Sequence, residues 1–340
     1  MVRRTLPFLA TLSLACAREA PLVEPADSVA HSISAVDSTV VTPVRATEAT
    51  TRDPNEFGRI PIFEYHLIGE KNATYERTRD GMRRDLEYLY AEGFRPVSVA
   101  ELVDRKLDLP AGLSPVVFVF DDASPSQLRY LERDGRLEID PTSAVGIWMD
   151  FAKGKPDWPN RAVFCMLSGA EAGRSFFGNK GIEGQKTEWR FPKVKFLHEQ
   201  GFELCNHTLW HARLDKYADP LVQEQIARLQ LAIDSAVPAA RVRTLALPLG
   251  KWPKNRELAY RGSWREPKSG RVVTYSYDAV LEVAGGPARS PHDPAFDPLS
   301  IPRVQVIGDS AVTVTVRQLR RSQNLYISDG NPSKVARSPA

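Results

Sequence analysis

The sequence predicts an α/β fold in which parallel strands form one domain with helices outside them. The residues from Val116 to Phe120 are all apolar without alternation, which is typical of a strand covered on both faces. Met82, Leu86 and Leu89 recur at helical spacing in the segment before it. Segments of these two kinds alternate from Ile60 to Ile307, and this alternation indicates a parallel sheet.

The other elements follow from the same two patterns and from their end signals. Strands are predicted at 60–66, 116–120, 162–167, 202–205, 242–247, 279–283 and 304–307, and helices at 78–92, 98–106, 191–200, from 219 onward and at 309–321. Ser124 and Pro125 have the chemistry of a helix N-cap and first turn, so a helix is expected to begin there. Residues 135–160 are interpreted as an insertion.

Composition limits the class of protein. The chain has 340 residues, of which 42% are hydrophobic and 26% charged, as is ordinary for globular proteins. Its formal net charge of +3 gives no reason to propose nucleic acid as a partner. No apolar run reaches the roughly 20 residues that a transmembrane helix requires.

The N-terminus has the pattern of an export signal. Arg3 and Arg4 precede an apolar run, and Ala15 stands before Cys16, which resembles a bacterial lipoprotein signal whose cysteine carries the lipid. Plain secretion and a short buried helix are the alternatives. We therefore expect an exported protein, either anchored to a membrane of the cell envelope through Cys16 or free in the periplasm or outside the cell.

Domain boundaries follow from composition. We predict a signal peptide at 1–16, a disordered linker at 17–56, the folded domain at 57–325 and a flexible tail at 326–340. Cys165 and Cys205 lie in two predicted strands and are interpreted as buried small hydrophobic residues, although a disulfide is allowed if these strands are neighbours. No oligomeric state is indicated.

Asp121 and Asp122 follow directly after the central predicted strand. Two adjacent carboxylates are costly unless a cation is close, and a metal ion is the simplest such partner. In parallel α/β folds the active site also lies at the carboxyl ends of the strands. The alternative interpretation is an ordinary strand end followed by a turn.

A second polar group follows the strand at 202–205. His207 and His211 are four residues apart, so on a helical turn both imidazoles would point to one ion. Two histidines and one aspartate make three ligands suited to Zn²⁺ and leave a coordination position open for water. The sequence therefore predicts a catalytic rather than a structural metal site.

These residues resemble the polysaccharide deacetylase family, the NodB homology domain of carbohydrate esterase family four. The resemblance rests on Phe120 to Asp122, on Ala162 to Cys165, on Gly201 to His211 and on Leu247 to Gly250, in the order of the family. It implies a distorted (β/α) barrel and hydrolysis of an N-acetyl group on an amino-sugar glycan.

The resemblance also implies roles for single residues. Asp122, His207 and His211 would bind the divalent metal, most simply Zn²⁺, and Asp121 would be the general base that accepts a proton from water. The backbone N–H of Leu249 would stabilise the oxyanion, although Leu247 to Gly250 also fits a plain turn.

Two departures from the family pattern affect catalysis. The arginine that orients the base in many members is replaced by Ala246, and the late histidine that serves as general acid corresponds to Arg303. Arginine stays charged and cannot donate a proton at neutral pH. Arg303 could instead orient Asp121, and His66, at the end of an early strand, is a candidate acid or a packing residue.

Three functions remain open from the sequence. The first is a metal-dependent deacetylase, the second a glycan-binding protein without catalysis on the same scaffold, and the third an enzyme that acts on an O-acetyl ester or another linkage. Aromatic side chains could stack on sugar rings or belong to the core, and the sequence does not sort them: Trp148, Phe177, Trp210 and Trp252.

Overall fold

A computed structural model describes residues 52–337 of the chain. The predicted signal peptide with Cys16, and the predicted linker up to residue 51, lie outside the described residues. None of the helices in the described range is long and apolar enough to cross a membrane.

The described residues contain fourteen strands, six α-helices and six short 3₁₀ helices. The strands are β1 Ile62–Tyr65, β2 Leu67–Gly69, β3 Glu76–Thr78, β4 Phe94–Pro96, β5 Ser114–Phe120, β6 Tyr130–Arg133, β7 Arg136–Ile139, β8 Val163–Met166, β9 Glu203–Asn206, β10 Thr244–Ala246, β11 Arg261–Arg265, β12 Val272–Ser276, β13 Ala279–Leu281 and β14 Val304–Gln305. The helices are α1 Arg79–Ala91, α2 Val99–Val103, α3 Ala144–Ala152, α4 Arg190–Glu199, α5 Asp219–Ala236 and α6 Ala311–Arg321.

The main sheet is parallel and curled. Seven strands follow in the order β13-β10-β9-β8-β5-β1-β14, and β4 pairs with the first residues of β5. A parallel bridge between Leu281 and Ile301 links the far edge strand to the segment before β14, so the sheet bends back on itself. The predicted α/β fold with a distorted barrel is confirmed as a curled half-barrel.

The central strand β5 is buried on both faces along its whole length. Phe118 and Phe120 pack in the core beneath the helices, whereas Val117 and Val119 pack in a second core on the other face of the sheet. This explains the apolar run without alternation, because a strand between two cores has no polar face. The strand ends at Phe120, and Asp121 follows it at the carboxyl edge of the sheet.

The helix predicted at Ser124 and Pro125 is wrong. The Ser124 hydroxyl accepts a hydrogen bond from the Ser126 backbone at 3.1 Å, which closes a turn, and the chain continues into the β6–β7 hairpin. Serine followed by proline starts turns as well as helices, so this pattern does not distinguish a turn from a helix. The segment interpreted as an insertion holds the end of this hairpin and α3, which leads to β8.

Cys165 and Cys205 form a disulfide, contrary to the interpretation as separate buried residues. They are direct partners in the parallel register of β8 and β9, with their Cα atoms 4.2 Å apart. The sequence left this pairing open because it depends on which strands become neighbours.

The segment predicted as a flexible tail makes specific contacts from 326 to 336. Tyr326 is buried, and the backbone of Ala336 exchanges hydrogen bonds of 2.8 and 2.9 Å with Glu56. Glu56 itself lies at the end of the predicted linker and is buried. An acidic side chain with several backbone partners therefore joins the two ends of the described chain.

Candidate metal centre and active site

Three predicted ligands converge at the carboxyl edge of the sheet. Asp122 follows β5, and His207 and His211 follow β9, two strands away. The Asp122 Oδ1 atom lies 3.6 Å from the Nε2 atoms of both histidines. The ligand atoms of the three residues all lie within 4.8 Å of one another.

The histidine pair is held by a loop and not by the helical turn that the spacing predicted. Thr208 and His211 have φ angles of 68° and 63°, which no α-helix contains. The Asn206 side chain accepts from the Thr208 backbone at 2.9 Å, and the Thr208 hydroxyl accepts from the Ala212 backbone at 3.0 Å. These bonds fix the loop so that the two imidazole rings lie 4.9 Å apart.

The atoms that face each other fit a divalent cation. The His207 Nδ1 atom lies 2.9 Å from the Ala246 carbonyl oxygen, so Nδ1 carries a proton and Nε2 is the nitrogen left to bind a cation. His207 Nε2 and Asp122 Oδ1 are buried without a hydrogen-bond partner in the described residues. A tetrahedral Zn²⁺ with bonds of about 2.0–2.2 Å holds its ligands roughly 3.4 Å apart, close to the observed separations.

Electrostatics at this cluster favour an ionised Asp122. Burial alone would raise its pKa, but the neighbouring His207 and His211 imidazoles lower the pKa below the usual range. Burial lowers the pKa of His211 to about 4, and the charge of His207 acts in the same direction. His207 is also buried, yet the charges of Asp121 and Asp122 raise its pKa. A cation at this site would therefore displace a proton from His207.

Arg303 is fully buried and contacts the predicted base. Its Nη1 atom donates to Asp121 at 2.9 Å, and its Nε atom lies 2.5 Å from the Glu282 carbonyl oxygen. Burial would raise the pKa of Asp121, but the charges of Arg303 and then of His207 outweigh it and lower the pKa. Asp121 is thereby held as a carboxylate, with one oxygen 3.8 Å from His207 Nε2.

Glu64 is a site residue that the sequence analysis missed. It lies on β1, is buried, and has Arg303 Nε at 3.3 Å and His66 Nε2 at 3.4 Å. Burial raises its pKa to about 8 in spite of the charge of Arg303. The available signal was a glutamate inside an otherwise apolar strand, two residues before His66.

His66 lies beside the base and not among the three converging ligands. Its ligand atom groups with those of Glu64 and Asp121, and burial lowers its pKa. The Gln127 side chain donates to the carbonyl oxygens of His66, at 2.7 Å, and Asp121, at 2.5 Å. One amide thus ties the end of β1 to the end of β5.

Arg174 was also missed. It lies in the loop after β8 and donates from Nη1 to Asp122 Oδ2 at 3.2 Å, so only Oδ1 of this carboxylate faces the histidines. Phe177 in the same loop donates from its backbone to the Ala123 carbonyl at 2.8 Å. Nothing in the sequence pattern connects this loop with the aspartate pair.

Leu249 lies in a single 3₁₀ turn directly after β10, the neighbour of β9. Its φ angle is 57°, and its side chain is 46% exposed. An exposed apolar residue with a backbone in the left-handed region is uncommon outside turns. The structure describes the turn, and the oxyanion role stays a prediction.

The fold and this cluster define a class of α/β proteins with a histidine and aspartate centre at one sheet edge. A family model for polysaccharide deacetylase matches residues 156–261. This range contains His207, His211 and Leu249, and the aspartate pair precedes it. The resemblance to the polysaccharide deacetylase family that the sequence predicted is therefore confirmed.

Solved structures share the fold at low sequence identity. The Streptococcus pyogenes deacetylase PplD in complex with acetate has a TM-score of 0.53 and 16% identity, over 77% of this chain and 97% of that chain. The putative polysaccharide deacetylase BA0330 from Bacillus anthracis has a TM-score of 0.52 and 15% identity, over 78% and 68%. IcaB from Ammonifex degensii has a TM-score of 0.50 and 17% identity, over 76% and 96%.

Proposed function

We propose that this protein is a metal-dependent hydrolase that removes N-acetyl groups from an amino-sugar glycan. The cation, most simply Zn²⁺, is bound by Asp122, His207 and His211, and Asp121 is the general base. The family match supports deacetylation, the family resemblance of the sequence suggests the nitrogen-linked acetyl, and the choice of metal rests on the chemistry of the site.

The observation that carries the proposal is the pair of buried atoms without partners. An unpaired buried carboxylate oxygen and imidazole nitrogen are costly, and both face a common point with His211 Nε2. A cation at that point would satisfy Asp122 Oδ1 and His207 Nε2 at once. When bound, it would supply a polarised acetyl carbonyl and a water of lowered pKa.

Side chains of the protein then accept and donate the protons of the reaction. Asp121, ionised and fixed by Arg303, accepts a proton from the attacking water as the water oxygen bonds to the acetyl carbon. The carbon–nitrogen bond breaks, and the amine leaves with a proton. We assign to His66, which lies beside Asp121 and Glu64, the transfer of the proton from Asp121 to the amine, and we assign oxyanion stabilisation to the backbone N–H of Leu249.

Cation binding and acetate release test this function separately. Purified protein is treated with a chelator, titrated with Zn²⁺ by calorimetry, and assayed for acetate released from N-acetylglucosamine oligomers. Asp122→Ala is expected to abolish measurable Zn²⁺ binding, and Asp121→Asn to keep binding but to lower kcat by 10²-fold or more. Asp150→Asn, on the exposed side of α3, is the control and should change neither.

Some results would contradict the proposal. Undiminished Zn²⁺ affinity in Asp122→Ala would remove this metal site, and equal rates with and without chelator would remove the metal dependence. An O-acetylated oligomer assayed in parallel decides which acetyl linkage is cleaved, since the described side chains do not distinguish the leaving atom.

Export and lipid anchoring at Cys16 are part of the same proposal. They rest on the sequence pattern of residues 1–16. A protein exported to an oxidising compartment also suits the disulfide between β8 and β9. Metabolic labelling with a fatty acid should mark the wild type but not Cys16→Ser, and a label retained in that variant would contradict the anchor.

A further inference from the structure

The structure sorts the aromatic side chains that the sequence left open. Trp148 and Phe177 are buried in the core, and Trp252 is partly buried with its indole nitrogen donating to Glu282 at 2.8 Å. Trp210, in contrast, is 40% exposed. Another exposed aromatic residue, Tyr75, was not considered from the sequence and is 53% exposed.

Tyr75 lies at the solvent side of the candidate acid. Its ring centre is 5.0 Å from that of His66, with the ring planes inclined by 60°. The Tyr75 carbonyl accepts from the Leu67 backbone at 2.9 Å, which anchors its segment to the strand that follows His66. The backbone of Tyr75 is thus fixed while much of its ring faces solvent.

Trp210 lies within the loop between the two histidine ligands. The neighbouring Leu209 is anchored on both sides, because its carbonyl accepts from Gly169 at 2.7 Å and its N–H donates to the Gln225 carbonyl at 2.9 Å. The indole is therefore presented on a fixed loop directly beside His211, and its exposure is not the result of a free chain end.

The segments that carry these two residues lie on opposite sides of the aspartate pair. Asp121 and Asp122 follow β5, Tyr75 is attached to the end of β1 on one side, and Trp210 follows β9 on the other side, beyond β8. Three strand-to-strand steps separate β1 from β9, about 14 Å along the curved edge. This span is longer than one sugar ring.

Exposed apolar side chains are concentrated around the site. Four of the ten large apolar side chains that are exposed in the described residues belong to segments that carry site residues, and these are Leu67, Tyr75, Trp210 and Leu249. In the same segments His207 is buried and His66 is partly buried. Exposed apolar side chains beside polar site residues suit a ligand with apolar ring faces and polar edges.

On the basis of the proposed deacetylase function, we propose that Tyr75 and Trp210 bind sugar rings on the two sides of the reacting residue. The substrate is then an oligomeric or polymeric N-acetylated glycan, bound across the site with the reacting sugar between two stacked neighbours. A monosaccharide would reach the centre but could not contact both rings.

The test compares chain lengths. Full-length wild type, Tyr75→Ala and Trp210→Ala are assayed for acetate release from N-acetylglucosamine and from its hexamer. Each variant should raise KM for the hexamer about tenfold, as the loss of one aromatic stack predicts, with kcat and the activity on the monosaccharide little changed. Tyr75→Phe should restore the wild-type KM, since the ring and not the hydroxyl is required.

Controls separate stacking from damage to the site. Phe191→Ala removes another exposed aromatic ring, on α4, and should leave KM for the hexamer unchanged. Zn²⁺ bound per protein is measured for Trp210→Ala, because this residue lies between two ligands. Equal losses on monosaccharide and hexamer, or no loss on either, would overturn the inference.

A binding measurement keeps the inference separate from the proposed function. The affinity of the hexamer is measured by calorimetry for the same variants, whether or not acetate is released. If the wild type releases no acetate but binds the hexamer, and each alanine variant binds the hexamer about tenfold more weakly, the deacetylase function is refuted and the two sugar sites are supported. A wild type that neither cleaves nor binds the hexamer would refute both.

Discussion

Replacing Glu64 by glutamine should stabilise the protein, and the gain should grow with pH. Glu64 is buried on β1, both of its carboxylate oxygens lack a hydrogen-bond partner in the described residues, and Arg303 Nε at 3.3 Å is its nearest cation. Glutamine has the same shape and remains neutral at every pH. It therefore removes the cost of burying a group that is ionised in the unfolded chain.

The magnitude follows from the pKa of Glu64, which burial raises from 4.5 to about 8. A carboxyl with a raised pKa in the folded state contributes full stability below pH 4.5, and this contribution is lost as the pH rises toward 8. Each pH unit in this window costs about 1.36 kcal/mol, so the cost is less than about 1 kcal/mol at pH 5 and about 3 kcal/mol at pH 7. Glu64→Gln should recover these amounts.

Urea unfolding of chelator-treated protein at pH 5 and pH 7 measures the difference. The free energy of unfolding of Glu64→Gln should exceed that of the wild type by about 3 kcal/mol at pH 7 and by much less at pH 5. Glu138→Gln, at an exposed position of the β6–β7 hairpin, is the matched control. A gain that is the same at both pH values, or a loss at pH 7, would show that Glu64 is ionised in the folded protein.

Three further predictions concern charge, covalent links and protons. Arg303→Met should lower the free energy of unfolding at pH 7 by about 3–5 kcal/mol, since it leaves Asp121 buried without its cation, and an unchanged urea midpoint would contradict this role. The double variant Cys165→Ala/Cys205→Ala should have a free energy of unfolding lower by about 4 kcal/mol, which is the chain-entropy value for a sequence separation of 40 residues. If reductant does not change the unfolding of the wild type in the same assay, the disulfide is refuted. Zn²⁺ affinity should rise by up to tenfold per pH unit between pH 6 and the raised pKa of His207, because the cation displaces the proton of this imidazole. A Zn²⁺ affinity that calorimetry finds to be independent of pH would refute this prediction.

The sequence was informative where local patterns determine the structure. An apolar run without alternation has few alternatives to a strand between two cores, and β5 is such a strand. Parallel strands bring their carboxyl ends to one edge, so Asp122, His207 and His211 could be grouped from the ends of two separate runs. The spacing of the histidines was informative for a different reason than expected, since a loop with left-handed residues aligns them.

Other site residues could not be predicted because they depend on which strands become neighbours. Glu64 belongs to the site because β1 pairs with β5, and the disulfide exists because Cys165 and Cys205 are opposite in register. Arg174 comes from a single 3₁₀ turn in the loop after β8. Each of these contacts joins distant parts of the chain, and no local period in the sequence encodes such contacts.

The position of Arg303 explains how Asp121 retains a cationic partner without an arginine at residue 246. The Ala246 backbone carbonyl lies on the β10 side of the site, where it accepts from His207 Nδ1. Arg303 reaches Asp121 from the opposite side, from the segment just before β14, and is also held by the Glu282 carbonyl. The buried guanidinium keeps its charge, because the charge of Asp121, with a further contribution from Glu64 when that carboxyl is ionised, raises its pKa against the effect of burial. The charge that holds Asp121 ionised therefore comes from the β14 side of the sheet and not from residue 246 on β10.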